Sequence, residues 1–345
     1  MSAGISDAWE AICAEFQRLG GSADNIVSRE GTRGRGLFPI DPTKPVRIRA
    51  PRNLLVPADD LEVRDGSLMV KRTAVLGEPE RAFFDAYQRE LSWGGGGFNE
   101  MWESQLAWSR LPQPMQESLR RNGGIVDIST RFLPPSEELC LKRYILSRAV
   151  HYEGRFAIMP MVELINHSSQ DSAAYVIDDS GVSVSGTFQQ EVLVNYNFDD
   201  CWGKALVYGF HEPQDHAYSV AQRFQFKDFA VEIGRDLSRS NKVGRFSTPA
   251  VTVEGNAVSL SFLMLGHTRL PRVPRAIFQH LTKNTPITNP DETFDVIQHH
   301  NRLRFLELLQ VSEDARTPLA ATLRAAAYGQ LTTLSSYWGT RVLTD

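Results

Sequence analysis

The stretch "MPMVELINHSSQ", residues 159–170, decides how this chain is read. An apolar run stops at an amide and an imidazole, Asn166 and His167, with two serines behind them. Apolar strands more commonly give way to Gly, Pro or Asp turns. Taken alone, an Asn-His pair reads as a capping or loop pair. What raises it is the company of three other segments, one just before it, one near the N-terminus and one downstream.

Just before it lies "PPSEELCLKRYILSRAV". Pro134 and Pro135 stop the preceding structure, Ser136 can cap, and Glu137 and Glu138 sit in a first turn where the helix dipole favours them. This predicts a helix running into Arg148. Nearer the N-terminus, "GTRGRGL" (residues 31–37) spaces Gly31, Gly34 and Gly36 so that backbone can approach a ligand without obstruction by Cβ atoms. It is not a dinucleotide fingerprint, because Pro39 stands where the third glycine would be. Downstream, "EVLVNYNFDDCW" (residues 191–202) ends an apolar segment on Tyr196. Singly, the glycines read as a turn and the tyrosine as a core residue with its hydroxyl at an edge.

The rest of the chain supplies a frame. "VRIRA" alternates with period two, the pattern of a half-buried strand. From about Ala58 the spacing of aromatics and leucines turns helical, interrupted by four consecutive glycines, 94–97, that read as a loop. Short β-like segments fill residues 156–196, and "WGKALVYGFHEP" reads as a helical turn and a loop. More strands are expected over about 217–265. Helices follow from Arg272 to the end, in "TFDVIQHHNRLRFLELLQ" and "PLAATLRAAAYGQLTTLSSYW". The order predicts an α+β fold whose β-rich part is interrupted by a long helical insert, with a mixed, mainly helical C-terminal region.

Composition narrows the function classes. A length of 345 residues allows one large domain or two ordinary ones, and 42% hydrophobic residues can fill a core. A net charge of −4 gives no basic excess for nucleic acid or membrane surfaces. Arginine outnumbers lysine, favouring groups suited to carboxylates and phosphates. Cys13, Cys140 and Cys201 are scattered, which argues against a thiolate zinc site or a disulfide framework, so no metal is expected. No window has the apolar length of a membrane span, and the N-terminus reads as an amphipathic helix closed by Gly20 and Gly21, not a signal peptide. The expected location is the cytoplasm.

In this order the glycine strand, the Asn-His and the later tyrosine resemble the SET-domain methyltransferases. "YILSRAVHYEGRFAIMPMVELINHSS" and "EVLVNYNFDDCWGKALVYGFHEP" are similar to one branch, that of the Rubisco large-subunit lysine methyltransferase and the actin-histidine methyltransferase. The separation of Gly36 from Asn166 suits that branch, which carries a long helical insert. The resemblance covers residues about 25–215. It implies a SET domain over 1–215, its insert at about 58–133, and a C-terminal region, 216–345, that could dock a substrate.

The resemblance further implies S-adenosylmethionine as cofactor and a protein or peptide as partner, with lysine as the acceptor. Position by position, Gly34, Arg35 and Gly36 would lie against the methionine part and Arg148 would face its carboxylate. Asn166 would hold the amino group, supported by Glu163, and His167 would meet the adenine through its backbone. Phe210 would pack on the adenine, Tyr196 would sit at the transfer point, and Tyr208 would line the acceptor channel. Glu163 stands where the branch has Asp, and Asn197 where it has Gly. Two alternatives share the scaffold: an enzyme acting on a small amine or free peptide, and a non-catalytic binding module.

Overall fold

A computed structural model describes residues 3–122, 128–170, 172–197, 199–243 and 246–335. The chain divides into two compact units, Met1–Ser104 with Pro135–Asn197, and Gln105–Pro134 with Phe198–Asp345. Each combines helices with small sheets, so the fold is α+β as the segment order predicts.

In the first unit the helix Ala3–Arg18 buries Trp9, Ile12 and Phe16 along one face. A four-stranded antiparallel sheet follows the order Ser22–Asp24, Val46–Pro51, Gly181–Gly186, Val176–Asp178. The alternation in "VRIRA" holds: Val46, Ile48 and Ala50 are buried, Arg47 is exposed. The glycine triplet rides on a hairpin, Ile26–Gly31 against Gly34–Pro39, with Gly31 opposite Gly34. A three-stranded sheet joins Val56–Pro57, Arg155–Ile158 and Ala149–Tyr152. Ser136 caps the helix Glu137–Arg148 as predicted, its hydroxyl accepting from the Leu139 N–H.

Two local expectations are corrected. Apart from a 3-10 turn at Ala58–Asp60, the stretch from 58 is helical only from Glu78, because Leu61–Arg64 pairs with Ser67–Val70. Asp65 and Gly66 both take positive φ, 52° and 75°, which is the two-residue hairpin turn that Asp-Gly favours. Glycines 94–97 are not an open loop either. They form a wide helical turn, Trp93–Gly97, leading into the helix Phe98–Ser109, with Gly96 at φ 128°.

The opening stretch, 159–170, is not a continuous strand. Met161 is fully buried at φ 68°, ψ −44°, a γ-turn-like bend that few non-glycine residues adopt. A short 3-10 turn, Val162–Leu164, follows, and then Asn166–His167 pairs in parallel with Leu193–Val194. That pairing brings Asn166 beside the segment carrying Glu191 and Tyr196.

In the second unit Asp200 caps the helix Cys201–Tyr208, and Gly209, at φ 78°, closes it. The described residues of the stretch 217–265 are mainly short β-strands, as expected. Gln222–Gln225, Ala230–Ile233, Ala257–Leu260 and Val251–Glu254 make one sheet, whose two central strands run parallel. His216–Tyr218 pairs with Met264–His267. The helices Val273–Thr282, Pro290–Val311 and Pro318–Ser335 pack with Trp202, Val258 and Leu260 in a single core. The predicted end of the last helix, 336–338, lies outside the described residues. Asp199 and Asp200 converge on Arg235 at 2.6 and 2.7 Å, all three buried. Among the described residues no helix is long and apolar enough to cross a membrane.

Candidate functional site

A cavity of about 220 Å³ opens in the first unit. Gly34 and Arg35 of the hairpin, Gly95, Gly96 and Gly97 of the wide turn, Arg148 and Asn166 line it, together with Glu30, Arg33, Glu100, Leu164 and others. Four predicted residues far apart in sequence, Gly34, Arg35, Arg148 and Asn166, therefore share one space.

Arg148 ends its helix pointing into a cluster of hydrogen-bond partners. Its Nη1 donates to Glu163 Oε2 at 2.8 Å and its Nη2 to Glu100 Oε2 at 3.1 Å. The Glu163 side chain has no solvent exposure, whereas that of Glu100 is 63% exposed. Glu163 Oε1 also accepts from the hydroxyls of Tyr87 at 2.6 Å, Ser92 at 2.5 Å and Tyr144 at 3.1 Å. Burial alone would lower the Arg148 pKa, but Glu163, Tyr144 and Glu100 together outweigh it and the net shift is upward. Burial, and then Glu163, pushes the Tyr87 and Tyr144 phenols up, so both stay neutral donors.

The expected support of Asn166 by Glu163 is therefore not what the structure has. Glu163 is occupied by Arg148 and three hydroxyls, and a different carboxylate holds Asn166. The Asn166 Nδ2 donates to Glu191 Oε1 at 2.7 Å and to the Arg35 carbonyl at 3.1 Å. Glu191 is buried, and its Oε2 accepts from Arg33 at 3.3 Å. Gly36 does not line the cavity. It stands behind Asn166, where a Cβ would lie 2.4 Å from Glu191 Oε1 and 2.6 Å from Asn166 Nδ2.

His167 is buried and turned away from a ligand-binding role of its side chain. Its Nδ1 accepts the Tyr196 backbone N–H at 3.0 Å, and the two rings lie 5.0 Å apart. An accepting Nδ1 makes this imidazole neutral, with the hydrogen on Nε2. The Tyr196 hydroxyl donates to the Ile165 carbonyl at 2.8 Å, one peptide before Asn166. Burial pushes the Tyr196 phenol up, so it is not a base at neutral pH. Tyr208 and Phe210 belong to the second unit, where their rings stack at 5.8 Å.

Sequence reasoning missed Glu100, Glu191, Arg33 and the glycine turn. The last had a signal: four glycines suit close backbone approach as well as a loop. In this structure Arg35 donates to the Gly95 carbonyl, and a Cβ on Gly95 would lie 3.0 Å from Arg35 Nη1.

No family model matches the chain, and no curated protein does. Solved structures do resemble it. The SET domain of LSMT bound to lysine and AdoHcy is 15% identical, with a TM-score of 0.44, covering 98% of this chain and 91% of that one. Rubisco LSMT bound to AdoMet is 14% identical, with a TM-score of 0.45, covering 96% and 90%. Rubisco LSMT bound to sinefungin and monomethyllysine is 14% identical, with a TM-score of 0.44, covering 95% and 90%. At these scores and identities nothing about the chemistry of this chain follows from the likeness.

Proposed function

We propose that the protein is an S-adenosylmethionine-dependent N-methyltransferase of the SET class, acting on a protein side-chain nitrogen, with lysine as the acceptor. One observation carries this reading. A guanidinium, Arg148, and an amide whose exposed atom is an acceptor, Asn166, converge on one glycine-lined cavity. That combination suits the carboxylate and ammonium of an amino acid. The fit extends to that end of the cofactor. At about 220 Å³ the cavity is smaller than the ~300–1,000 Å³ of sites that enclose drug-sized ligands. The sequence resemblance adds Phe210 for the adenine and Tyr208 for the acceptor channel.

Bound S-adenosylmethionine supplies a methyl group on a sulfonium sulfur, open to in-line displacement without a covalent enzyme intermediate. The residues contribute alignment and a fixed electrostatic setting. Arg148 is clamped by Glu163, so a carboxylate would meet a preset guanidinium through Nη2 once Glu100 yields. Tyr196 is held at three points, by His167 on its N–H, by the His167 ring and by the Ile165 carbonyl on its hydroxyl. A neutral phenol held in this way orients the reacting nitrogen without removing its proton. Desolvation beside a positive centre lowers the pKa of a lysine acceptor, which gives that proton to bulk water before the transfer.

The test is calorimetry with S-adenosylmethionine, then incubation of the protein with labelled cofactor and cell lysate. Binding with label in protein is expected. Absence of binding would remove both enzyme readings, and label confined to small molecules would remove the protein acceptor.

A further inference from the structure

We infer that Glu191 is a positioning residue that orients the Asn166 amide toward the cavity and thereby selects a ligand carrying an ammonium group. The inference rests on the amino-acid-binding reading of the cavity given above.

The two ends of an amide side chain are nearly equal in size, and their neighbours decide which way it points. Here both amide hydrogens are taken. One goes to Glu191 Oε1 and the other to the Arg35 carbonyl, at 2.7 and 3.1 Å. A carboxylate and a carbonyl can only accept, so a flipped amide would set oxygen against two oxygens. Asn166 Oδ1 makes no hydrogen bond among the described residues, and Asn166 lines the cavity. What the ligand meets is therefore an acceptor, and an acceptor favours a donor.

Glu191 is itself fixed. Its side chain is 5% exposed and paired with Arg33, and the next residue, Val192, donates its N–H to the Leu37 carbonyl at 2.8 Å. The bare Cα of Gly36 makes the room, since any Cβ there would strike both Glu191 and Asn166. Glycine strand, Asn-His pair and Glu191 thus agree on one amide orientation. Glu191 does not line the cavity, so it acts on a ligand only through the two lining residues it holds, Asn166 and, more weakly at 3.3 Å, the half-exposed Arg33.

The experiment compares two probes by calorimetry. One is S-adenosylhomocysteine. The other is 5′-deoxy-5′-(3-carboxypropylthio)adenosine, the same molecule without the amino group. The wild-type protein should prefer the first by about tenfold or more, as a charge-assisted hydrogen bond implies. Glu191→Ala should weaken the first probe about tenfold and leave the second unchanged, so that the preference collapses. Glu191→Gln keeps an accepting oxygen and should retain most of the preference. Glu191→Asp draws the carboxylate back by one methylene without touching Asn166, so it gives the answer even if Glu191→Ala fails to fold; its preference should fall too. Parallel loss of both probes would make Glu191 a general support of the pocket and overturn the inference, as would an unchanged preference. A wild-type protein that binds neither probe would instead bring down the methyl-donor reading, and this inference with it.

Discussion

Replacing Glu163 by alanine tests the centre of the site most directly. The carboxylate is fully buried and accepts four hydrogen bonds, from Arg148, Tyr87, Ser92 and Tyr144. Hydrogen bonds to a charged group contribute roughly 1.5–3 kcal/mol each, but a simple sum overshoots. Arg148 keeps Glu100, Ser92 and Tyr144 keep each other at 2.7 Å, and Tyr144 keeps Gln88 at 3.0 Å. The remainder resembles a buried ion pair that has lost one partner, a cost of about 3–5 kcal/mol. In a unit of this size each kcal/mol lowers Tm by about 2–4 °C, so a drop of roughly 10 °C or more is expected.

Thermal melts followed by circular dichroism measure it, with S-adenosylmethionine affinity read in parallel because Arg148 loses its clamp. Glu163→Asp is the informative companion. Shortening the side chain withdraws the carboxylate by about 1.5 Å, one carbon–carbon bond. It can then reach Arg148 or the hydroxyls, not both, and a loss of about 2 kcal/mol follows. A Tm within about 2 °C of wild type for Glu163→Ala would refute the reasoning, since a charge that is not needed cannot be what holds Arg148.

Tyr196→Phe removes the hydroxyl bonded to Ile165 and should lower methyl transfer by about a hundredfold while leaving cofactor affinity nearly intact; equal loss of both would assign the tyrosine to binding. Glu100→Ala frees Arg148 Nη2 from an exposed competitor and should tighten S-adenosylmethionine binding several-fold in calorimetry, and weaker binding would contradict it. In the second unit burial lowers the pKa of His211, His267 and His300 from the ordinary 6.5. The unfolded chain then binds more protons below that value, so this stability is complete above pH 6.5 and is lost as pH falls. Asp199, pushed up to about 6 by burial against the pull of Arg235, works in the opposite direction. The readout is therefore the Tm difference between wild type and His300→Gln, expected to shrink as pH falls from about 7 to about 5; a constant difference would refute it.

How much of this was legible in the sequence follows the range of the interactions. Ser136 as a cap, the "VRIRA" strand and the glycine hairpin were readable because each depends on residues a few positions apart. The Asp65-Gly66 hairpin was equally readable, but the aromatic spacing around it masked the turn. The polar partners were not. Asn166 and Glu191 are 25 residues apart, Arg148 and Glu100 48, Tyr87 and Glu163 76. Side chains that meet over such separations leave no periodicity, and any of several carboxylates could have faced Asn166.

That ambiguity explains why the sequence alone pointed to Glu163 and not to Glu191 as the partner of Asn166, and the resolution follows from reach. Two residues after the bend at Met161, Glu163 bonds Arg148 at the end of the helix Glu137–Arg148 and not Asn166. From there an aspartate could not span both Arg148 and the hydroxyls of the helix Glu78–Glu90 and the turn after it, whereas glutamate does. Asn166 is then left to the neighbouring parallel segment, whose first residue with a carboxylate is Glu191. The extra methylene at position 163 and the missing Cβ at position 36 are thus two parts of one arrangement. The first gives Arg148 its own carboxylate and the second admits a separate one to Asn166. Exchanging either should disturb one ligand-facing group and spare the other. Glu163→Asp should therefore act on affinity for a ligand's carboxylate, and Gly36→Ala on affinity for its amino group. If each variant weakened both probes alike, the two groups would form a single unit and the division would be wrong.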